Sequence, residues 1–255
     1  MHFYVIKSRL IFFLAIIFSV MAVLSVDWAG QGCLASVFFY KNNRKIPIYC
    51  VDTTEKNIAI TFDAAWGSDK TEDILNTLKE HDVKATFFLV GMWVDKYPEM
   101  VKKIDEYGIE IGTHSNLHPD MSKLSEKQVN LELSSSVSKI ESITGKKVEF
   151  FRAPYGAYNN QLLTCTENMN IKTIQWDVDT LDWKGITAQQ ICSNVFKKTK
   201  PGSIILCHNN SDHIVEALPT IITNLKARGY NFVTVGELVY KTDFYVDSSG
   251  KQIKK

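Results

Sequence analysis

The sequence predicts an α/β fold built on a parallel sheet. The first ground is a rhythm of seven short runs rich in β-branched and aromatic residues: Ile58–Phe62, Ala85–Val90, Ile109–Thr113, Val148–Phe151, Ile171–Trp176, Ser203–Cys207 and Asn231–Val235. The second is the helical spacing of apolar residues in the stretches between them. Strands that alternate with helices pair in parallel, because the returning crossover carries the chain back to the same starting edge. The third is size: of 255 residues, about 200 follow the N-terminal apolar segment, enough for one well-cored domain. Such a unit is either a doubly wound sheet or a closed or nearly closed barrel. No glycine-rich turn follows the first run, which weakens a dinucleotide-binding reading.

At the N-terminus, Lys7 and Arg9 precede seventeen uncharged residues from Leu10 to Val26. A basic flank before an apolar core is the pattern of an export signal, and the length sits at the lower edge for a membrane span. Residues 1–30 are therefore expected to form a signal peptide or a hydrophobic anchor helix, with the basic flank inside and the domain outside. Residues 31–57 read as a connecting segment. Its Lys45–Val51 stretch reads as a lone strand, with Pro47 placing it at an edge.

The main domain is expected over residues 58–240. Its helices are predicted at Ser68–Glu80, Pro98–Tyr107, Ser125–Ile143, Asn159–Asn168, Thr187–Lys198 and Ile214–Arg228. Ser125 and Gln128 stand at capping-box spacing, and Gly108, Gly145 and Gly229 stand where helices stop. Residues 241–255 are polar and expected to fray.

Composition is that of an ordinary globular chain, with 45% hydrophobic and 22% charged residues. A formal net charge of +1 gives no electrostatic case for a nucleic-acid partner. The five cysteines, Cys33, Cys50, Cys165, Cys192 and Cys207, form no C-x-x-C pair. That set argues against a disulfide framework and a cysteine zinc site, and leaves one bridge open.

Polar, titratable residues stand at the ends of the predicted strands. Asp63 follows the first, and His114 and His118 the third. Arg152-Ala153-Pro154-Tyr155-Gly156 follows the fourth, Asp177, Asp179, Asp182 and Trp183 the fifth, and His208 the sixth. Each has a bland reading: a turn-capping aspartate, a surface arginine, a core tryptophan, a loop histidine. Together, at one end of five strands, they are poorly explained by packing. On a barrel they would face one cup, where such folds place their chemistry. The two imidazoles four residues apart suit a zinc-type ion.

Thr61-Phe62-Asp63, His114-x-x-x-His118-Pro119, Arg152-x-Pro154-Tyr155-Gly156, Asp179-x-x-Asp182-Trp183 and Leu206-x-His208 resemble, in order, the five motifs of the polysaccharide deacetylase family (carbohydrate esterase family 4, the NodB homology domain). The likeness runs from Ile58 to Tyr240, and the run from Lys45 through Thr61-Phe62-Asp63-x-x-Trp66-Gly67 looks most like the sporulation-associated deacetylases of Gram-positive spore formers. It implies a distorted (β/α) barrel of about seven parallel strands and a divalent metal, zinc first, with cobalt or another divalent ion as alternatives. It also implies removal of N-acetyl groups from an amino-sugar polymer.

The resemblance further implies roles. His114 and His118 hold the metal, and Asp63 is the general base, oriented by Arg152. The Tyr155 backbone N–H faces the oxyanion, with Pro154 and Gly156 shaping that turn. His208 is the acid, held by Asp182, and Trp183 and Leu206 form the slot for the acetyl methyl. The expected partner is an N-acetylated cell-wall glycan, peptidoglycan before others, met by a monomer outside the cytoplasm. The protein would be secreted to the wall or spore envelope, or held to the membrane by an uncleaved N-terminal segment.

One departure stands out. Where the family has a second aspartate as third metal ligand, this chain has Ala64 and then Ala65. Asp69 or Asn116 are the candidates to replace it. The departure feeds an alternative of another class, a catalytically weak or inactive module that binds wall glycan. A small-amide hydrolase of the same fold is a third reading, and the export segment counts against it.

Overall fold

A computed structural model describes residues 44–255. The expected N-terminal signal or anchor helix, residues 31–43 of the connecting segment and with them Cys33 lie outside the described residues. Among those described, no helix is long and apolar enough to cross a membrane.

In chain order the strands are β1 (Cys50–Val51), β2 (Asn57–Ala64), β3 (Thr86–Leu89), β4 (Glu110–Thr113), β5 (Phe150–Phe151), β6 (Lys172–Thr173), β7 (Val178–Asp179), β8 (Ile204–His208), β9 (Asn231–Phe232), β10 (Phe244–Val246) and β11 (Lys251–Lys254). The helices are α1 (Thr71–Glu80), α2 (Gly91–Lys96), α3 (Pro98–Glu106), α4 (Glu126–Thr144), α5 (Asn160–Asn168), α6 (Ala188–Lys198), α7 (Ile214–Ala227) and α8 (Val235–Leu238). Strands β6-β5-β4-β3-β2-β8-β7 form one curled sheet, with β9 beside the start of β2. Every pairing in it is parallel. The sheet is a distorted, incompletely closed (β/α) barrel, as the motifs implied.

Alternation along β2 explains the layers. Ile58, Ile60, Phe62 and Ala64 face the helices and join the larger apolar cluster with Ile74, Leu75, Leu78 and Ile221. Ala59, on the other face, joins Phe88, Phe150, Ile174 and Ile204 inside the barrel. The α4 helix begins with the predicted Ser125–Gln128 capping box and stops at Gly145 in the left-handed region. A second capping box, Thr187 with Gln190, starts α6.

Four expectations change. The run Ile171–Trp176 is not one strand: the chain leaves β6 after Thr173 and forms β7 only after four intervening residues. Asp177 consequently turns to the start of β8, where Ile204 N–H and Ser203 Oγ donate to its carboxylate at 2.9 and 3.0 Å. The Lys45–Val51 strand is not alone. It bridges the sheet's open ends through Ile48 beside Ile174 and Cys50 beside Ser203. The last residues do not fray: β10 and β11 pair antiparallel, and β11 pairs parallel with β1. Buried Gln252 anchors this small sheet by exchanging two side-chain bonds of 2.9 Å with the Tyr240 backbone. Finally, α8 starts where a strand was expected to continue, capped by Thr234.

Cys50, Cys165, Cys192 and Cys207 are buried and free. Gly202 sits at φ +79°, and a Cβ there would lie 1.9 Å from the Val51 carbonyl oxygen. Gly202→Ala is therefore expected to lower stability by about 2–4 kcal/mol, read as a reduced urea midpoint. A change under about 0.5 kcal/mol would mean the junction yields easily.

Candidate active site

The C-terminal ends of the strands surround a cleft of about 820 Å³ lined by Asp63, His114, His118, Tyr155, Asp179, Asp182, Trp183, Leu206 and His208, with Ala65 and Trp66 at one side. Register brings the pieces together. Asp63 on β2 is the direct partner of His208 on β8, and Thr113, just before His114, partners Phe151, just before Arg152.

Arg152 lies wholly buried beneath the cleft. Its Nη1 donates to Asp63 Oδ1 and to Thr61 Oγ1, both at 2.8 Å, and its Nη2 donates to the Gln175 carbonyl at 3.1 Å. The guanidinium carbon stands 4.2 Å from the centre of the Phe88 ring. Burial alone would push the Asp63 carboxyl up. Arg152, helped by His114 and His208, more than offsets this and holds it below the usual carboxylate range. Asp63 is thus an anion with Oδ1 engaged by Arg152.

His114 Nδ1 lies 2.8 Å from the Arg152 carbonyl oxygen. A carbonyl only accepts, so that nitrogen carries the proton and Nε2 presents a lone pair, 3.5 Å from Asp63 Oδ2. Burial lowers the His114 pKa, and burial with the neighbouring His114 brings His118 down to about 4. Both rings are neutral near pH 7. His118 is turned toward His114 by a left-handed backbone, φ +61°, and the ring centres are 4.9 Å apart. His118 Nδ1 is buried without a hydrogen-bond partner. Two neutral imidazoles, one with its proton fixed by a carbonyl and one with an orphaned nitrogen, beside a carboxylate, fit a divalent ion at two protein positions.

A third protein donor is not in place. Among the described residues no group of three His, Cys, Asp or Glu side chains stands at metal-holding spacing. Neither Asp69 nor Asn116 lines the cleft, and Asn116 Oδ1 accepts from Lys139 Nζ at 2.7 Å. Ala64 belongs to the helix-facing cluster, while Ala65 borders the cleft.

On the far side, the buried Asp182 carboxylate accepts from His208 N–H at 2.8 Å and from His208 Nδ1 at 2.7 Å. Burial disfavours the imidazolium, but the Asp182 hydrogen bond and charge prevail, and the His208 pKa is raised. The ring is thereby held with Nδ1–H on Asp182, leaving Nε2 as its other nitrogen.

Tyr155 has φ +60° and is exposed at the rim. Gly156 follows at φ +67°, where a Cβ would meet the Trp176 ring at 3.2 Å. Pro154 and Gly156 shape this turn but do not line the cleft, in contrast to the substrate-pocket position expected for them; Ala153 and Tyr155 do. Leu206 and Trp183 stand on its wall. Trp66 and the Asn210–Asp212 loop were not singled out by the sequence as site residues. Trp66 stood in the Thr61–Gly67 run that carries the sporulation-type resemblance, without a role; for Asn210–Asp212 the signal was proximity to His208 in the chain.

A buried arginine–aspartate pair, two neutral histidines and an aspartate-held histidine thus gather around one strand-end cleft of a (β/α) barrel. The comparisons place it among its relatives. The polysaccharide deacetylase profile matches residues 51–174. The chain is 34% identical over 205 residues to the peptidoglycan-N-acetylmuramic acid deacetylase of Bacillus subtilis, covering 78% of each. It is 40% identical over 183 residues, 70% of this chain, to the peptidoglycan-N-acetylglucosamine deacetylase of Bacillus cereus, spanning 66% of that protein. Among solved structures, a CE4 family pseudoenzyme from Bacillus anthracis superposes with a TM-score of 0.74 at 34% identity, over 82% of this chain and 73% of that one. A mutant form of such a pseudoenzyme, described as having restored activity, gives 0.73 at 39% identity, over 75% and 70%. The chain belongs to the polysaccharide deacetylase family, CE4. Deacetylases of this family are generally metal-dependent.

Asp182→Asn is expected to lower the His208 pKa, visible as an acid shift of that ring's NMR titration. Folding raises this pKa above its unfolded value of about 6.5. The pair's stabilisation is thus complete below about pH 6.5 and is lost as pH rises through the raised value. The stability gap between wild type and variant should therefore narrow in alkaline buffer. An unmoved titration would detach Asp182 from the control of His208.

Proposed function

We propose that the domain removes N-acetyl groups from amino sugars of a cell-wall glycan, peptidoglycan before others, on the outer side of the cytoplasmic membrane. The observation that carries this is the register pairing of Asp63 with His208. A carboxylate held ionised and an imidazole whose protonated form is favoured by Asp182 thus stand on neighbouring strands over one cleft. Amide hydrolysis needs both: a base for the attacking water and an acid for the departing nitrogen.

Each residue has a part. Arg152 occupies Asp63 Oδ1, so Oδ2 is the oxygen that takes the water's proton. His208 keeps Nδ1 on Asp182 and gives the Nε2 proton to the amine as the C–N bond breaks. The backbone N–H of Tyr155 faces the tetrahedral oxyanion, on a turn that Gly156 makes accessible. Leu206 and Trp183 receive the acetyl methyl. A divalent ion, zinc first, held by His114 Nε2 and by His118 would polarise the acetamide carbonyl and the attacking water. With Ala64 in place of a third ligand, that ion would be held more weakly than by a complete set.

Ala64 also supports a second reading, a module that binds wall glycan with little or no turnover. Acetate release from acetylated chito-oligomers and purified peptidoglycan, with and without zinc or cobalt, separates the two. Release that depends on the ion supports the enzyme; binding without release in every metal supports the module.

Asp63→Asn is expected to reduce turnover by about 10²–10⁴-fold while glycan affinity stays near wild type. Full activity in this variant would show that another group is the base. Because Ala64 faces the helix layer, Ala64→Asp is expected to leave zinc affinity near that of wild type, measured by competition with a chromophoric chelator. Clearly tightened binding would show that the end of β2 turns the new carboxylate into the cleft.

A further inference from the structure

Large exposed apolar side chains are few among the described residues, and three aromatic ones meet at the cleft: Trp66 (56% exposed), Tyr155 (72%) and Trp183 (58%). Scattered exposed hydrophobics need no explanation, but aromatic surface gathered at one concavity marks a binding surface. Tyr155 and Trp183 belong to motifs already given roles. Trp66 does not.

Trp66 is held in place from behind. The carbonyl of Gly67, the next residue, accepts from Trp93 Nε1 at 2.6 Å and from Asn209 Nδ2 at 3.0 Å. Lys70 Nζ ties the same segment to the Asn210 carbonyl and Asp212 Oδ1 at 3.2 and 3.3 Å. The indole meets the His118 ring at 6.0 Å between centres, at 62°. A side chain this large, more than half open on a backbone so anchored, loses little further freedom when a ligand covers it.

The ligand's chemistry follows from the surface. An acetamide fills a small part of an 820 Å³ cleft, which leaves room for further sugar rings. A pyranose presents a face of C–H groups with hydroxyls at its edge. An indole matches that face through dispersion and weak C–H contacts while excluding water. We infer that Trp66 is a stacking platform for a sugar ring next to the one that carries the acetamide, and that it makes the site selective for glycan chains over single sugars. This rests on the glycan reading above.

The test measures affinity of the full chain for tetra-N-acetylchitotetraose and for N-acetylglucosamine by calorimetry, in wild type, Trp66→Ala and Trp66→Phe, with melting temperatures as the fold control. The tetramer-to-monosaccharide affinity ratio is expected to fall roughly tenfold in Trp66→Ala, the upper range for an aromatic contact. Trp66→Phe should recover most of it. A ratio unchanged in Trp66→Ala, including equal weakening toward both ligands, overturns the inference and leaves the glycan reading intact. Wild type that binds no tetramer removes the glycan reading, and this inference with it.

Discussion

The guanidinium of Arg152 is the group on which the site depends. A charge with no access to water is tolerated only when paired and fully hydrogen-bonded. Asp63, Thr61 and the carbonyls that follow β6 meet that demand from inside the barrel, while Phe88 covers one face. The same contacts pin β2, β5 and the end of β6 to one another. They also fix which carboxylate oxygen is free and keep it ionised. The backbone carbonyl of Arg152 sets the tautomer of His114. One residue thus orders the anion and the nearer imidazole, and the ordering is independent of any ion the histidines hold.

The second constraint is register. In a parallel sheet every strand delivers its C-terminal end to the same rim, so residues remote in sequence become neighbours without long loops. Asp63 and His208 are paired because β2 and β8 are adjacent in space though not in sequence. A slip of one residue would turn Asp63 into the helix layer and bring Phe62 or Ala64 to the cleft. The apolar cluster that holds Ile58, Ile60 and Phe62 against the helices therefore aims Asp63 into the cleft as well as stabilising the fold.

Much of this could be read in the chain. The strands were visible because each is an apolar run bounded by turn residues, and the strand-end polar residues stood out against them. What escaped notice depended on distance in sequence. β7 is two residues long and carries no periodicity; only its partner β8 makes it a strand. The C-terminal segment is polar and looked unstructured, yet Gln252 satisfies both its side-chain groups on Tyr240, a match composition cannot reveal. Asp177 shared a strand end with Asp179 in sequence but turns to Ser203 in space. Trp66 gave no periodic signal, because an exposed rim residue belongs to neither face of a strand.

Burial also decides how the folded domain's four described cysteines meet oxidants. Burial pushes the Cys50 thiol up to about 11 and Cys207 well above its ordinary value, and raises Cys165 and Cys192 as well. Thiols so shielded hold almost no thiolate, the form that oxidants and disulfides attack. The described barrel needs no covalent crosslink to close and offers oxidants little to react with. Once folded, these four thiols are accordingly little touched by the oxidising poise of their surroundings.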